Sequence, residues 1–433
     1  MTDDRAVSRA QQRLWILDRL GPGSAAYIVP LIHRIDGDLD VALLERSLTE
    51  VVRRHEVLRT VYRLRSRALR QVVRPAELVR IPVLDISDHE NPQAEAERLT
   101  ATEARRPFDL GADSMIRPLP LRLAPGRHWL CLTLHHIACD GWSLHILHSE
   151  LSACYRSWHA GTAPELPPLR EQYADFAEEQ AAQLGGPSLQ PASDYWRKRL
   201  ADVPASVTIP PDLPRPSTRS FAGGHVRFAV ERSVGTRINA LARACRATPF
   251  TVFLAAFAAL VRLRGGGSEA VIGTPVTNRQ RESHQRLIGM FVNTAVLRLE
   301  VPEGVTFQEL VHRARDESRK AIVHQALPFE MLVEELNPVR DPAFNPLFQL
   351  MLGYQEGELP GLVLPGCETT ADYGDTSTAK LDVSLSITHA AGHYSGRLEY
   401  SSDLFKAASA HCLAEQFQAL LASATADPLQ SLG

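Results

Sequence analysis

The chain has 433 residues, of which 44% are hydrophobic and 22% charged, and a formal net charge of −3. This length predicts two domains of an ordinary soluble protein, and the charge balance offers no basic surface for nucleic acid and no polybasic membrane anchor. The sequence has no stretch near the roughly 18 apolar residues of a membrane span, no secretory signal in residues 1–13 and no CxxC pair among its cysteines, which indicates a cytoplasmic protein.

Hydrophobic periodicity predicts mixed helices and strands in the first part of the chain. In chain order we expect a helix over 8–20, a strand over 27–35, a helix capped by Asp40, strands over 58–63 and 68–73, a helix over 94–105, strands over 119–123 and 129–134, and helices over 142–158 and 172–183. Residues 184–224 are rich in proline and contain one short predicted helix near 194–200. They indicate a crossover between a first domain, 1–183, and a second, 184–433.

The second half continues the same mixed pattern. We expect a strand over 225–230, helices over 234–247 and 251–263, strands over 270–274 and 293–299, a helix from Thr306, strands over 348–354, 381–388 and 394–400, and a closing helix over 413–421. The Gly265–Gly267 run lacks the residues of a phosphate-binding loop and is interpreted as a helix C-terminal loop. The predicted fold class is therefore α/β, with α+β-type mixed sheets.

The most informative motif is HHxxxDGWS at 135–143, between a predicted strand and a predicted helix. Histidine is the side chain whose ordinary pKa suits proton transfer near neutrality, which makes His136 a candidate base. Asp140 could orient that imidazole or anchor the loop through an arginine. Gly141 would let a backbone amide approach a ligand without a Cβ in the way.

The spacing alone proves nothing, because His312 and Asp316 repeat HxxxD on a helix that is expected to be exposed. A purely structural reading, buried histidines with a turn aspartate, remains open. A metal site is another alternative, since His145 and His148 follow on the helix and could join His136 and Asp140. Against it, residues 145 and 148 lie a turn or more beyond the loop.

Several motifs together resemble those of the condensation domains of nonribosomal peptide synthetases, in that family's order and over the whole chain. They are SxAQxRLWxL at 8–17, RHExLRT at 54–60, HHxxxDGWS at 135–143, a YxDYA-like segment at 173–177, IGxFVNT at 288–294, an HQDYPFE-like segment at 324–330 and an RDxSRNPLxQ-like segment at 340–349. The departures are small: Cys139 fills a variable position, Ala326 and Leu327 replace Asp-Tyr, and Phe344 stands where Arg is common. The opening motifs resemble the subgroup that joins two L-configured residues.

The resemblance implies two chloramphenicol-acetyltransferase-like lobes in a V-shaped pseudo-dimer with a central tunnel. Donor and acceptor carrier domains of neighbouring synthetase modules would each insert a phosphopantetheine arm. The amine of the acceptor aminoacyl thioester would attack the donor thioester, as in antibiotic or siderophore biosynthesis. The domain itself is expected to bind no cofactor and no metal, and to be monomeric when isolated.

The resemblance also implies a role for each candidate residue. His136 would be a general base or would orient the amine, and His135 and Asp140 would be structural, with Asp140 paired to Arg279. Gly141 would place its backbone amide near the carbonyl oxygen that becomes negative. The remaining candidates are Trp142, Ser143, Asn293 and Ser384 as tunnel or substrate residues, and Arg279 and Arg59 as structural support.

Three alternatives stay open at the sequence level. A plant-type HxxxD acyltransferase needs a late DFGWG loop, and the nearest segment here, 372–375, does not match it. An epimerization domain shares HHxxxDG but not the opening motif. A catalytically silent relative that recruits a partner enzyme would tend to lose the His pair, which is intact here.

Overall fold

The computed structural model describes residues 4–21, 23–184, 186–203, 208–338 and 341–432. Within these ranges the chain forms eleven α-helices. They are α1 (Arg9–Leu20), α2 (Val41–Arg54), α3 (Pro92–Arg105), α4 (Gly141–His159), α5 (Tyr173–Gln183), α6 (Gln190–Arg199), α7 (Arg232–Ala244), α8 (Pro249–Leu263), α9 (Phe307–Val323), α10 (Phe329–Leu336) and α11 (Ala407–Ala426). Arg340, the first residue of the last sequence motif, and Pro204 of the predicted crossover lie outside the described residues.

The same part of the chain forms fourteen β-strands. They are β1 (Asp4–Ala6), β2 (Ile28–Gly37), β3 (Thr60–Arg65), β4 (Ala68–Val73), β5 (Leu84–Asp85), β6 (Ile116–Ala124), β7 (Arg127–His135), β8 (Gly223–Val230), β9 (Glu269–Val276), β10 (Asn293–Glu300), β11 (Leu350–Glu356), β12 (Cys367–Tyr373), β13 (Val383–Ala390) and β14 (His393–Ser401). The predicted class, α/β with mixed sheets, is confirmed: most neighbouring strands are antiparallel, whereas β11 runs parallel to both β9 and β13.

The strands and helices divide into two compact units. The first comprises Met1–Gly186, Thr277–Val292 and Leu359–Thr376, and the second comprises Pro187–Val276, Asn293–Glu358 and Ser377–Gly433. The segments Thr277–Val292 and Leu359–Thr376, which follow the predicted crossover in the sequence, therefore belong to the first unit. Strand β12 pairs along β2, and Phe291 lies in the first unit's hydrophobic core.

The first unit is built on a five-stranded sheet in the order β12-β2-β7-β6-β5, with a smaller sheet β1-β4-β3. Strand β7 is central and buried from Trp129 to its end. Helices α2 and α4 pack against each other, and their apolar faces share one core with β2 and β7. This core holds the end of β7 and the start of α4 in a fixed relation.

The second unit is built on the six-stranded sheet β10-β9-β11-β13-β14-β8. Its central helix α8 is buried from Thr251 to Val261. A helix that is apolar on all sides is expected in the interior of a large domain, and α8 packs there between α7, α9 and α11. The glycine run after it begins with Gly265 at φ +84°, as a helix C-terminal loop requires.

Helix starts follow the capping residues that the sequence offers. The Ser8 side chain accepts the Gln11 backbone N–H, while the Gln11 side chain accepts that of Ser8. Asp40 caps α2, and Thr306 caps α9 in a second capping box. Each cap gives a partner to backbone groups that the first helical turn leaves without one.

No single helix in the described ranges has both the length and the apolar composition to cross a membrane. Helices α7 and α8 pass such a test only as a pair, and the pair is bent by 105°.

Candidate active site

The candidate site lies where β7 ends and α4 begins. A 3₁₀ turn over His136–Ala138 follows the last residue of β7, and Asp140 caps α4. His135 is buried, and its Nδ1 accepts a hydrogen bond from the Ile137 backbone N–H at 3.1 Å. Together with the Cys139 N–H, which donates to the His136 carbonyl at 3.3 Å, this bond holds the turn, so the buried His135 shapes the loop while the neighbouring His136 stays half-buried.

The His135 ring packs against Phe108, and Phe108 in turn contacts the Arg117 guanidinium. Phe108 meets it edge-on, with ring centroids 5.7 Å apart. The Arg117 guanidinium carbon lies 3.7 Å from the Phe108 ring centroid, and its Nε donates to Glu103 at 2.8 Å. Burial lowers the pKa of Arg117 and the Glu103 carboxylate opposes that shift. The sequence motifs give no sign of this support.

His136 and Gly141 are two residues of the HHxxxDGWS segment that are not fully buried. His136 is half-buried, and its backbone N–H donates to the Tyr27 carbonyl at 2.8 Å. Gly141 is exposed at the first position of α4, and a Cβ added there would meet no atom within 4 Å. The first backbone N–H groups of a helix lack intrahelical partners and carry partial positive charge. A developing negative oxygen would be stabilised at this helix end.

Asp140 is buried and uses both carboxylate oxygens. Its Oδ1 accepts from the Ser143 N–H at 2.9 Å, the Ser143 hydroxyl at 2.7 Å and Arg279 Nη2 at 2.8 Å. Its Oδ2 accepts from the Phe291 N–H at 3.1 Å. The carboxylate therefore joins the loop, the start of α4 and a distant segment.

The ion pair between Asp140 and Arg279 that the sequence predicts is present, with side chains 4% and 2% exposed. Arg279 Nη1 also donates to the carbonyls of His284 and Leu287. The guanidinium carbon lies 4.1 Å from the Phe291 ring centroid, a cation–π contact. Burial lowers the pKa of Arg279, and the Asp140 charge acts against this shift.

Residues 287–291, here called the strap, are held by polar side chains of the first unit. The Gly289 N–H donates to Ser143 Oγ at 3.0 Å, and Ser143 Oγ lies 2.9 Å from the Gly289 carbonyl. Tyr173 Oη donates to the Met290 carbonyl at 2.7 Å. A Cβ on Gly289 would lie 2.0 Å from the Tyr173 ring, so only glycine fits this approach. Ser143 is fully buried and its hydroxyl binds the strap, and its place along the substrate path stays a prediction.

Two sequence motifs without an assigned role contribute to this anchoring. The hydroxyl of Tyr173, from the YxDYA-like segment, lies 2.8 Å from Ser8 Oγ of the opening motif, within hydrogen-bond distance. Gln11 of the same motif donates to Tyr62 Oη at 2.9 Å. The opening helix, α5 and the strap are thus joined by one buried polar chain, which motif spacing alone could not reveal.

The other predicted site residues differ in their surroundings. Trp142 is 46% exposed, and its Nε1 donates to the Gln285 carbonyl at 2.9 Å. Ser384 is half-buried on β13 of the second unit, in register with Met351 and Glu399. Of these, Trp142 presents accessible surface next to Gly141.

Arg59 supports the base of the β3–β4 hairpin. Its Nη1 donates to the Arg74 carbonyl, and its Nη2 lies 3.5 Å from the Glu56 carboxylate. These contacts are structural, and they concern the hairpin and not the His loop.

Asn293 is bound into the second unit by its own side-chain amide. Its Nδ2 donates to the carbonyls of Gln325 and Leu327 at 2.8 and 2.7 Å, and its Oδ1 accepts the Phe329 N–H at 2.9 Å. Both amide protons are therefore used to hold the segment that leads into α10. The side chain is buried and has a structural role, and its expected contact with substrate stays a prediction.

The residues of the alternative metal site are not brought together. In the part of the chain that the structure describes, no three His, Cys, Asp or Glu side chains are grouped to hold a metal ion. His148 instead faces His33: their Nε2 atoms are 3.2 Å apart, and His148 Nδ1 lies 2.5 Å from the Leu144 carbonyl. Both rings are buried between β2 and α4.

This histidine pair predicts that the folded state loses stability in mild acid. Burial lowers the pKa of His148 to about 4, and burial together with His148 holds the pKa of His33 well below its usual value. Unfolded histidines take up protons near pH 6.5, so stability should fall as pH drops below that value and continue to fall toward pH 4. For His148 alone the difference corresponds to about 3 kcal/mol.

Urea unfolding measured between pH 7 and pH 4 checks this expectation. The His33→Leu/His148→Met double variant should show a shallower loss of stability than the parent. His411→Gln, on the exposed face of α11, is the control and should reproduce the parental pH dependence. An unchanged slope in the double variant would contradict the assignment.

Comparison with known proteins agrees with this description. The family model described as Condensation domain matches residues 1–433. The chain belongs to the condensation-domain family of nonribosomal peptide synthetases. It is 40% identical over 405 residues to phosphinothricin tripeptide synthetase PhsB of Streptomyces viridochromogenes, covering 91% of this chain and 34% of that protein.

A second relative is the dimodular nonribosomal peptide synthase of Bacillus subtilis, 36% identical over 438 residues, which covers 99% of this chain and 18% of that protein. The chain thus spans about a third of the first relative and less than a fifth of the second. Among solved structures, the X-domain from teicoplanin biosynthesis has a TM-score of 0.90 at 26% identity, covering 100% of this chain and 97% of that one. The first condensation domain of the calcium-dependent antibiotic synthetase, bound to a substrate analogue, shares the fold with a TM-score of 0.84 at 21% identity, covering 99% of this chain and 98% of that one.

Proposed function

We propose that this domain forms a peptide bond between two carrier-bound substrates and that His136 is its central catalytic residue. The observation that carries the proposal is the loop at the end of β7. There His136 is half-buried and Gly141 is exposed, while Asp140 and Arg279 hold the loop through a buried ion pair. A rigid loop of this kind can hold reacting groups at the distances that chemistry requires.

The proposed reaction is the attack of an amine on a thioester. The acceptor amine forms a bond to the donor carbonyl carbon, the carbon–sulfur bond breaks, and the donor thiol leaves with one proton. His136 either takes the proton from the attacking amine or accepts a hydrogen bond that orients it. The Gly141 end of α4 would stabilise the negative oxygen that forms during attack.

The proposed substrates are an acyl or peptidyl thioester and an aminoacyl thioester, each on the phosphopantetheine of a partner carrier domain. Because both reactants are attached to carriers, much of the rate acceleration can come from holding the amine close to the thioester carbonyl. The opening motifs favour the subgroup that joins two L-configured residues. The activation of the acids is assigned to other domains of the synthetase.

The test is product formation from preloaded carriers. Intact-protein mass spectrometry should detect a dipeptidyl acceptor carrier when the domain is mixed with both loaded carriers, with EDTA present and ATP absent. A requirement for added metal or ATP, or no product with any pair of loaded carriers, would overturn the proposal.

Replacement of Gly141 tests the accessible side of the loop. Because a Cβ at Gly141 meets open space, Gly141→Leu should leave the melting temperature within a few degrees of the parent. Its larger side chain should nevertheless fill the space that the substrates need and reduce product formation at least about tenfold, by misplacing the reactants. Gly141→Ala is the matched control and should retain most activity. Normal turnover by the leucine variant would contradict the proposed substrate position.

A second candidate function is recruitment of a partner enzyme. The similarity to the X-domain favours this function, because the X-domain is also known in a complex with OxyB. The matched chain of that complex has a TM-score of 0.89 at 27% identity, covering 100% of this chain and 95% of that one. The assay separates the two functions, since a recruitment domain yields no dipeptide. The intact His loop and its buried anchors favour catalysis.

A further inference from the structure

We infer that His55, in the RHExLRT motif, is a positioning residue for the condensation reaction and acts through the strap. The inference rests on the proposed function. His55 is 1% exposed and therefore does not touch a substrate. Its ring lies between Glu150 on α4 and the backbone of Ile288, so it joins the helix that carries the catalytic loop to the strap.

The two ring nitrogens have different roles. The Ile288 N–H donates to His55 Nδ1 at 3.4 Å, so Nδ1 must be the unprotonated nitrogen. His55 Nε2 then carries the proton and donates it to Glu150 Oε2 at 2.8 Å. In a neutral imidazole one nitrogen donates and the other accepts, and here Glu150 selects that tautomer.

Glu150 is itself held in place. Its Oε1 accepts from Arg54 Nε at 3.0 Å, and Arg54 Nη2 donates onward to the Pro167 carbonyl. The Glu150 and Arg54 side chains are 11% and 10% exposed, so both charges are largely desolvated and paired. The ring orientation of His55 is therefore set by a fixed carboxylate and not by solvent.

The strap transmits this orientation to the catalytic loop. One residue after Ile288, the Gly289 N–H donates to Ser143 Oγ, and two residues later the Phe291 N–H donates to Asp140 Oδ2. Asp140 caps α4 and ends the turn that presents His136. A shift of the strap at Ile288 would move the partners of Asp140, and a displacement of about 1 Å at a reacting group can reduce the rate 10²-fold.

The 3.4 Å bond is long, and the strap has other anchors, so the expected effect is moderate. Two variants each remove one half of the ring's function. His55→Asn places an amide oxygen near the position of Nδ1 and can still accept the Ile288 N–H, but it loses the contact with Glu150. His55→Gln places an amide nitrogen near the position of Nε2 and can still donate to Glu150, but it loses the strap.

The experiment measures kcat and KM for dipeptidyl-carrier formation together with the melting temperature. Both variants should lower the melting temperature by a similar amount. His55→Gln should lower kcat about tenfold with little change in KM for either loaded carrier, whereas His55→Asn should stay within about threefold of the parent. Arg53→Ala, an exposed neighbour on α2, is the control and should match the parent in both measurements.

A merely structural role predicts that kcat follows the melting temperature in both variants. Equal losses of kcat in His55→Asn and His55→Gln, or no loss in either, would therefore overturn the inference. Failure of the proposed function looks different, because the parent itself would then make no dipeptide. If the parent condenses and His136→Ala does not, the proposed function stands whatever the His55 variants do.

Discussion

Replacing Asp140 with alanine is expected to destabilise the first unit by about 3–5 kcal/mol, the cost of leaving one partner of a buried ion pair unpaired. Arg279 would keep its charge with 2% side-chain exposure, and the Ser143 and Phe291 N–H groups would lose their acceptor. Circular dichroism during thermal unfolding should show a lower melting temperature. Poor solubility on expression is the expected accompanying result.

The chain supplies its own control for this change. Asp316 belongs to the second HxxxD spacing, has a side chain that is 52% exposed, and pairs with its neighbour Arg315. Asp316→Ala should therefore leave the melting temperature unchanged. Arg279→Ala should resemble Asp140→Ala, and the double variant should lose clearly less than the sum of the two. Strict additivity would show that the two side chains do not depend on each other.

Regular elements are the most predictable part of this fold. Helices α1, α2 and α4 have both an apolar face and a capping residue, and the sequence predicts each within one or two residues of its observed start. In these helices the apolar periodicity and the capping residue both indicate the same helix start, which makes that start predictable. The closing helix is predicted too short: the expected range is 413–421, whereas α11 spans Ala407–Ala426. Alanine favours a helix but adds little to an apolar stripe, so the alanine-rich turns at both ends are missed.

Elements that depend on distant partners are not predicted. Strand β12 lies at an edge of its sheet and owes its conformation to antiparallel pairing with β2, more than 300 residues earlier in the chain. Strands β1 and β5 have three and two residues, too few for a periodic pattern. Helix α10 has eight residues and begins where Asn293 accepts the Phe329 N–H, a contact that local sequence does not encode.

The candidate site shows the same division. The His loop could be predicted because its residue types and spacing mark it, and the Asp140–Arg279 pair because the resemblance to the family implies it. The strap could not, because Asp140 and Ser143 bind its backbone N–H and carbonyl groups, which every residue possesses. The side-chain contacts of Asn293 could not be predicted for the same reason, because its amide binds the backbone groups of Gln325, Leu327 and Phe329.

Replacing His136 with alanine is expected to reduce dipeptide formation by roughly 10² to 10⁴, the usual contribution of a general acid–base group, while the fold remains intact. The side chain is half-buried, and the turn is held by the His135 side chain and by the Cys139 N–H, which donates to the His136 carbonyl, a backbone group that alanine retains. The loss should appear in kcat, since a proton acceptor or an amine-orienting group acts on the reacting complex. Single-turnover mass spectrometry with saturating loaded carriers gives that rate.

The matched control is His312→Ala, which removes the histidine of the other HxxxD spacing from α9 and should condense at the parental rate.

Comparison of rates across pH then separates the two roles of His136. A general base predicts that the parental rate rises more steeply with pH than the rate of His136→Ala, because the variant lacks the proton acceptor. An orienting hydrogen-bond acceptor predicts that His136→Gln, whose amide oxygen can still accept, recovers a large part of the lost rate. Normal turnover by a folded His136→Ala protein would remove His136 from the mechanism altogether, and the peptide bond would then have to form by positioning of the two carrier-bound substrates alone.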